Sequence, residues 1–279
     1  MAVLKSNMYG KSQVRLTKVT RNGQRHELKE MYVNVILRGE FQRCYTHGDN
    51  SNIVATDSMK NTVYALARNH PIESIESFGM HLAAHFVDRY PQVSAAQVKI
   101  RQVPWQRIAV NGQPHDHAFI GGSSERRTCL ITHGSRPNVS SGIDGLLVMK
   151  TTHSGFVGYV QDEYTTLKET TDRIFATSVT ASWKYDSPDA DWNANYDSIR
   201  AALLNMFATH DSLAVQQTLY AMGEEALKVC PAISEIELTM PNQHRLLVNL
   251  QPLGLDNPNE IFLPTSEPFG MISGIVSRG

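Results

Sequence analysis

Two histidines, His115 and His117, lie two residues apart in a segment whose pattern predicts a β-strand. Because alternate side chains of a strand point to the same face, both imidazoles would share one face of a sheet. Such a pair can begin a zinc site, but no third ligand follows at a suitable spacing. The polar face of a sheet or an interface also explains the pair, and that interpretation is favoured.

Polar residues at the ends of predicted elements form a second group of candidates. Thr56 and Asp57 follow an apolar run and open a predicted helix, where side-chain oxygens often cap unpaired backbone N–H groups. The sequence PNQH, Pro241 to His244, lies between two predicted strands, and loops at strand ends often hold functional groups. A helix cap and a plain turn are nevertheless sufficient explanations, since Pro and Asn are also turn formers.

Two further side chains are suited to a flat polar anion. Arg173 presents a planar fork of donors that can bind an anionic edge through two hydrogen bonds. Gln216 lies in a predicted helix and offers both a donor and an acceptor. On pattern alone, an ion pair of Arg173 with Asp172 or Glu169 is favoured over ligand binding. An exposed helical position is likewise favoured for Gln216.

Several function classes lack support in the sequence. There is no GxSxG, no P-loop and no GxGxxG that follows a strand, so phosphate and dinucleotide binding are not indicated. The 279 residues carry a net charge of -1, which excludes the basic excess typical of nucleic-acid binding. No apolar run approaches the roughly 20 residues that a membrane span requires.

The cysteine content and the chain ends bear on the compartment. Cys44, Cys129 and Cys230 are far apart, which argues against a disulfide framework and for a reducing compartment. The N-terminal sequence MAVLKSNMYG lacks the apolar core of a signal peptide, and the C-terminal SRG is not a peroxisomal signal. We therefore expect a cytoplasmic protein.

The elements that would position these residues follow one order twice. In the first half, Asn22-Gly23 is a strong hairpin signal, two helices begin near Thr56 and Ile75, and further strands follow, including one with its own Asn111-Gly112 turn. A turn-rich loop, His133 to Gly142, separates the halves. In the second half two strands precede two helices and the strands SEIELTM and HRLLVNL.

A weak internal duplication accompanies this order. RYPQVS and VCPAIS each end a predicted helix and precede an alternating strand. We predict an α+β fold of two domains, residues 1–136 and 137–279, each with a four-stranded antiparallel sheet and two helices on one face. The open sheet edges favour association into a closed barrel of several copies, with sites at the seams.

Five segments together resemble the urate oxidase (uricase) family in order and spacing. They are YGK (9–11), VATDS (54–58), DEYTTLKETTDRIFAT (162–177), AVQQTLY (214–220) and MPNQH (240–244). The resemblance covers essentially the whole chain, and the long polar run from Asp162 to Thr177 is its most specific part. It implies a tunnelling fold of two T-fold domains and homotetramers with active sites between subunits. It also implies conversion of urate, O₂ and water to 5-hydroxyisourate and hydrogen peroxide, with no metal and no organic cofactor.

The resemblance also assigns expected roles in proton transfer and oxygen binding. Lys11 and Thr56 would form a proton-handling pair, and His244 would complete the relay. Asn242, together with Thr56, would mark the position of O₂ or peroxide.

Other matched positions would bind the substrate. Arg173 and Gln216 would clamp urate, and Phe156 would stack on its face. The remaining pocket-lining residues would be Asp57, Leu167, Val215 and Ile272. Thr56 and Asp57 would come from a different subunit than the urate clamp.

Two other functions remain open at the level of sequence. A metal-dependent pterin or purine-nucleotide enzyme of the same fold would use His115 and His117 on zinc. A purine-binding or structural oligomer without catalysis is the third class, although Lys11, Thr56 and His244 together argue against it. The absence of a peroxisomal signal favours a bacterial-type cytoplasmic enzyme within the resembled family.

Overall fold

The computed structural model describes residues 2–279, which form two compact units. The first unit contains the chain up to Gly142 together with Lys184–Asn193. The second contains Ile143–Trp183 and Ala194–Gly279.

The first unit is built on a four-stranded sheet. Its elements are β1 (Tyr9–Asn22), β2 (Arg25–Gly39), α1 (Gln42–His47), α2 (Thr56–Asn69), α3 (Ile75–Arg89), β3 (Val93–Val103), β4 (Trp105–Val110), β5 (Gln113–Gly121) and β6 (Arg126–His133). The sheet has the order β1-β2-β3-β6, and every neighbouring pair is antiparallel. Helix α2 packs on β1, and α3 packs on β3 and β6. Strands β4 and β5 form a separate hairpin.

The second unit repeats this plan. Its elements, some of which begin or end in the first unit, are β7 (Asn138–Lys150), β8 (Phe175–Tyr185), α4 (Trp192–Thr209), α5 (Val215–Val229), β9 (Ile233–Thr239), β10 (Arg245–Leu247), β11 (Phe262–Pro264) and β12 (Ser273–Ser277). The sheet order is β7-β8-β9-β12. Helix α5 packs on β9 and β12, and Phe207 of α4 contacts Phe175 of β8. The predicted α+β class, with two helices on each sheet, is confirmed.

Both predicted hairpin turns form, and their backbone angles explain the residue types. Asn22 pairs with Arg25, so Gly23 is the first residue of a two-residue loop and takes the positive φ of +62° that this position needs. Asn111 and Gly112 both have positive φ, as a type I′ turn requires. Alternation also holds in β2, where Met31, Val33, Val35 and Leu37 are all fully buried.

The predicted capping role of Thr56 and Asp57 is wrong. Helix α2 begins at Thr56 itself, its N-cap is Ala55, and no side chain caps it. The Asp57 carboxylate instead accepts hydrogen bonds from the side chains of Lys60 at 2.5 Å and Asn61 at 3.1 Å. Thr56 and Asp57 already lie inside the first turn, and a capping side chain must come from the residue that precedes it.

Two predicted boundaries in the second half also differ from the structure. The loop predicted from His133 to Gly142 is shorter, because β7 already begins at Asn138. Of the strand predicted in HRLLVNL, only Arg245–Leu247 forms, and it pairs with β11 outside the main sheet. The fourth strand of the second sheet is β12, whose residues are held by antiparallel pairing with β9. A five-residue strand containing Gly274 has little local signal, so its long-range pairing decides it.

Within residues 2–279, no helix combines the length and the apolar character that crossing a bilayer would need.

Candidate active site

Lys11 lies where strand β1 becomes irregular. It pairs with Val35 on β2, and the register shifts between Lys11 and Val14. Gln13 takes a positive φ of +57°, and its N–H donates to Oδ1 of Asn34 at 2.6 Å. A bulge of this kind redirects side chains and often lies near a functional site. The lysine is half-buried at this point.

Asp57, which follows Thr56 in the first turn of α2, lies close enough to Lys11 to be affected by its charge. The pKa of the Asp57 carboxyl is lowered mainly by the hydrogen bond and charge of Lys60, with smaller contributions from Asn61 and from the charge of Lys11. Thr56 is half-buried, and its hydroxyl has no hydrogen-bond partner among the described residues. An amine near a free hydroxyl can take up and pass on a proton.

In the second unit, backbone hydrogen bonds join the long segment between β7 and β8 to the loop that precedes α5. The Gly155 N–H donates to the Ser212 carbonyl at 2.8 Å, and the Ser212 N–H donates to the His153 carbonyl at 3.0 Å. The Arg173 N–H donates to the carbonyl of buried Ser154 at 2.7 Å. These bonds bring the two ends of the segment to the loop that enters α5.

Arg173 is half-buried without a charged partner. The predicted alternative, an ion pair with Asp172 or Glu169, is absent from residues 2–279. The Asp172 carboxylate accepts from the Thr152 hydroxyl at 2.8 Å, and Glu169 accepts from a backbone N–H at 2.7 Å. Burial lowers the pKa of the Arg173 guanidinium from its usual value. Its donors are therefore available to a planar anion from outside the chain.

Phe156 lies next to Arg173 in an aromatic cluster. The guanidinium carbon of Arg173 is 5.2 Å from the Phe156 ring centroid. Tyr159 stacks on Phe156 at 4.8 Å with an interplanar angle of 12°, and its hydroxyl donates to the Leu167 carbonyl at 2.6 Å. This bond joins the Leu167 backbone to the cluster. The Leu167 residue itself is exposed to solvent. Tyr159 was not predicted from the sequence, although its position three residues after Phe156 in a polar segment was a usable signal.

The two glutamines of the sequence AVQQ have different surroundings in the first turn of α5. Oε1 of Gln217 accepts from the Leu213 N–H at 3.0 Å, so this side chain stabilises the entry to the helix. Gln216 is exposed and its amide has no partner within the described chain. Val215, the first residue of the helix, is buried. Gln216 therefore has both its amide oxygen and its NH₂ group available for a ligand, whereas the amide oxygen of Gln217 is already occupied.

The PNQH segment is held by backbone bonds at the end of the second sheet. The Asn242 N–H donates to the Gly270 carbonyl at 2.9 Å, and the Gln243 N–H donates to the Ala176 carbonyl at 2.9 Å. The carbonyl of Ile272 accepts from Met240 at 2.8 Å, which places Ile272 beside the same loop. Asn242 is half-buried there and lies next to the strand that follows Arg173.

The backbone of His244 is held by two residues that were not predicted from the sequence. Its carbonyl accepts from the Thr265 N–H and from the guanidinium of Arg245, both at 3.0 Å. Arg245 also lines, with Arg173, a hollow of about 430 Å³. Phe156 and Gln216 are outside the lining of that hollow, so it does not coincide with the predicted urate clamp.

The two histidines of HDH are in contact, and the ring of His117 also lies 5.7 Å from that of His26. The rings of His115 and His117 are 4.5 Å apart and nearly perpendicular. Among residues 2–279, no three His, Cys, Asp or Glu side chains are arranged to hold a metal ion. The pair alone supplies fewer ligands than a zinc site requires.

Comparisons with known proteins agree with this arrangement. The family model described as Uricase matches residues 7–132 and 139–273. The uricase of Arthrobacter globiformis is 46% identical over 277 residues, which cover 99% of this chain and 90% of that protein. The uricase of Oryctolagus cuniculus is 39% identical, covering 97% of this chain and 93% of that protein.

Solved structures give the same result. The crystal structure of Arthrobacter globiformis uricase superposes with a TM-score of 0.95 at 46% identity and covers 100% of this chain and 96% of that one. The uricase of Bacillus fastidious superposes with a TM-score of 0.86 at 25% identity, covering 99% and 94%. The resemblance expected from the sequence motifs is confirmed, and the chain belongs to the uricase family.

Proposed function

We propose that this protein is a urate oxidase that converts urate, O₂ and water to 5-hydroxyisourate and hydrogen peroxide. The observation that carries the proposal is the unpaired, half-buried guanidinium of Arg173 beside Phe156, in a chain of the uricase family. A buried cation without a carboxylate partner is unfavourable unless a ligand compensates it.

The shape and charge of urate suit the residues of the second unit. Urate is flat, anionic and rimmed with carbonyl and N–H groups. Arg173 would bind an anionic acceptor edge through two hydrogen bonds, and the free amide of Gln216 would bind a neighbouring edge with both donor and acceptor. Phe156 would contact the purine face, with Leu167, Val215 and Ile272 lining the pocket.

Proton transfer would fall to Lys11, Thr56 and His244. An electron-rich urate dianion can itself reduce O₂, so we propose that neither a metal nor an organic cofactor takes part. The protein would then deprotonate urate and hold the reactants in place. Asn242 and Thr56 would mark the position of O₂ or peroxide, and Asp57 would border the pocket.

We extend the proposal to the assembly and the compartment. The protein would be a homotetramer with active sites between subunits, in which Thr56 and Asp57 come from a different subunit than Arg173 and Gln216. Residues 1–136 and 137–279 would be the two tandem domains, and the two matched segments of the family model support a division near there. The free cysteines Cys44, Cys129 and Cys230 support a cytoplasmic location.

An oxygen electrode tests the reaction directly. We expect chelator-treated protein to consume O₂ on addition of urate, to release hydrogen peroxide and to bleach the near-ultraviolet absorbance of urate. Activity that returned only after metal was added would contradict the proposed mechanism.

Two alternatives give different results in the same assay. A metal-dependent pterin or purine-nucleotide enzyme that uses His115 and His117 would contain stoichiometric zinc in a metal analysis. A purine-binding protein without catalysis would bind urate and consume no O₂.

A further inference from the structure

The hydroxyl of Tyr9 joins strand β1 to the segment that leads into α2. Its Oη accepts from the Val54 N–H at 2.7 Å and donates to the Val54 carbonyl at 3.1 Å. Val54 is two residues before Thr56, and Tyr9 is two residues before Lys11. One phenol therefore connects the backbones that carry both residues of the proposed proton-handling pair.

The side chains of Tyr9 and Lys11 share one face of the sheet. Between these two residues β1 keeps a regular register, with Tyr9 opposite Leu37 and Lys11 opposite Val35. Opposed residues of antiparallel strands lie on the same face, and residues two apart in a strand do so too. Leu37 and Val35 are fully buried, so this is the covered face of the sheet. The bond to Val54 thus lies on the side to which Lys11 points.

The ring of Tyr9 is itself held in place. It contacts Phe41 edge-on at 4.7 Å with an interplanar angle of 88°, and Phe41 is 1% exposed. Burial raises the pKa of the Tyr9 phenol, which keeps the proton that it donates to Val54. The phenol is therefore held by two hydrogen bonds and an aromatic contact.

The backbone next to Lys11 is also restrained on both sides. A Cβ at Gly10 would lie 1.9 Å from the Val35 carbonyl oxygen, so only glycine allows this close approach of β1 to β2. Beyond Lys11 the bulge is fixed by the bond of Gln13 to Asn34. Lys11 thus lies in a restrained segment that Tyr9 joins to the backbone just before α2.

We propose that Tyr9 is a positioning residue for the Lys11–Thr56 pair: by binding both polar groups of the Val54 backbone, it sets the separation between β1 and the first turn of α2. The inference rests on the proposed urate oxidase function, because the separation matters only if these two residues exchange a proton. Tyr9 acts through its neighbours and does not contact substrate in this role.

The Tyr9→Phe variant tests the inference, because it removes one oxygen and keeps the ring against Phe41. The matched control is Tyr45→Phe, which removes a phenol that donates to the Met8 carbonyl at 2.9 Å and has no bond to Val54. For both variants and the wild type we would measure urate-dependent O₂ uptake across pH, the thermal midpoint, and hydrogen exchange at the Val54 amide.

We expect Tyr9→Phe to lower kcat by about 10- to 100-fold, since a displacement on the order of 1 Å is costly in catalysis. KM should change less than kcat, the pH profile should shift, and the Val54 amide should exchange faster. Tyr45→Phe should match the wild type in rate, pH profile and Val54 exchange.

Three outcomes would overturn the inference. A wild-type rate and pH profile in Tyr9→Phe, together with faster Val54 exchange, would remove Tyr9 from catalysis and leave the urate oxidase function intact. Equal losses of rate in both variants would assign the effect to general destabilisation. Absence of urate-dependent O₂ uptake in the wild type would instead reject the proposed function, and this role of Tyr9 with it.

Discussion

The guanidinium of Arg173 lies over the ring of Phe156, with 5.2 Å between the guanidinium carbon and the ring centroid, and no carboxylate of the described chain pairs with it. A cation held against an aromatic face and left with free donors is prepared for a planar anionic ligand. Its neighbours Asp172 and Glu169 are occupied by other donors, so this availability is built into the segment.

Arg173→Lys should lower kcat/KM for urate by roughly 10- to 100-fold, mainly through a higher KM. Lysine keeps the charge but loses the fork, and hydrogen bonds to charged groups contribute about 1.5–3 kcal/mol. Steady-state O₂ uptake measures this. The matched control is Arg25→Lys, which alters an exposed ion pair with Asp116 and should leave the rate unchanged. Equal kinetics for both variants would contradict a urate clamp at Arg173.

Gln216→Ala and Gln217→Ala should have separate effects. Gln216 has a free amide, so its loss should weaken urate turnover while the thermal midpoint stays close to that of the wild type. Gln217 accepts the Leu213 N–H, so its loss should lower stability by about 1 kcal/mol, as for other helix-start bonds, and spare the rate. Thermal unfolding and O₂ uptake distinguish the two. The assignment would be reversed if Gln217→Ala lost turnover and Gln216→Ala lost stability.

Lys11→Met and Thr56→Ala should each reduce turnover by on the order of 10²-fold or more, because general acid–base catalysis contributes at least that much. Both residues are only half-buried and neither belongs to the fully buried core, so the fold should persist. Single-turnover bleaching of urate would measure the chemical step itself. Near-normal rates would eliminate the proton relay.

Stability should fall as the pH drops below about 6.5, the ordinary pKa of histidine. The His70 imidazole has a lowered pKa in the folded protein, chiefly from burial and then from the nearby His81 and Lys18. The unfolded chain therefore binds the proton first. This loss begins near the unfolded pKa and is complete below the folded one.

A non-titrating variant isolates this contribution. Nδ1 of His70 accepts from the Ile72 N–H at 2.9 Å, and buried Ile72 has a positive φ of +55° that disfavours a β-branched residue. His70→Asn can accept the same N–H in an Asx turn without titrating. Its urea midpoint should vary less between pH 8 and pH 5 than that of the wild type. His85 and His210, whose pKa values are also lowered by burial, remain in both proteins. Parallel pH curves would exclude His70.

Arg127→Met should destabilise the protein by about 3–5 kcal/mol, because it strips a buried charge of its partner. The Glu76 carboxylate is fully buried. It forms an ion pair with the Arg127 guanidinium at 2.8 Å and accepts a hydrogen bond from the Ser141 hydroxyl at 2.5 Å. The double variant Arg127→Met, Glu76→Gln should recover part of the loss. Chemical denaturation measures both. Lys228→Met, at an exposed ion pair with Glu225, is the control and should change stability by about 1 kcal/mol or less.

Elements that depend on neighbours in the chain could be predicted from the sequence. The turns at Asn22-Gly23 and Asn111-Gly112, the alternation in β2 and the helices around Met59 and Phe78 follow from local backbone preferences and periodicity. The family resemblance, carried by segments such as Asp162 to Thr177, was likewise present in the order of residues.

Other features were decided only by the three-dimensional structure, because they depend on which pairing partners are available there. Strand β12 exists because it pairs with β9, and the helix start at Thr56 lacks the predicted cap. The sequence predicted a candidate amide in AVQQ, and the structure shows that the oxygen of Gln217 accepts from Leu213 while Gln216 has no partner within the described chain. The sequence also named Arg173 as a candidate. Whether its guanidinium pairs with Asp172 depends on Thr152, whose hydroxyl donates to the Asp172 carboxylate in the folded protein. The types of the residues determined what chemistry was possible, and competition for hydrogen-bond partners in three dimensions determined which groups remain free to perform it.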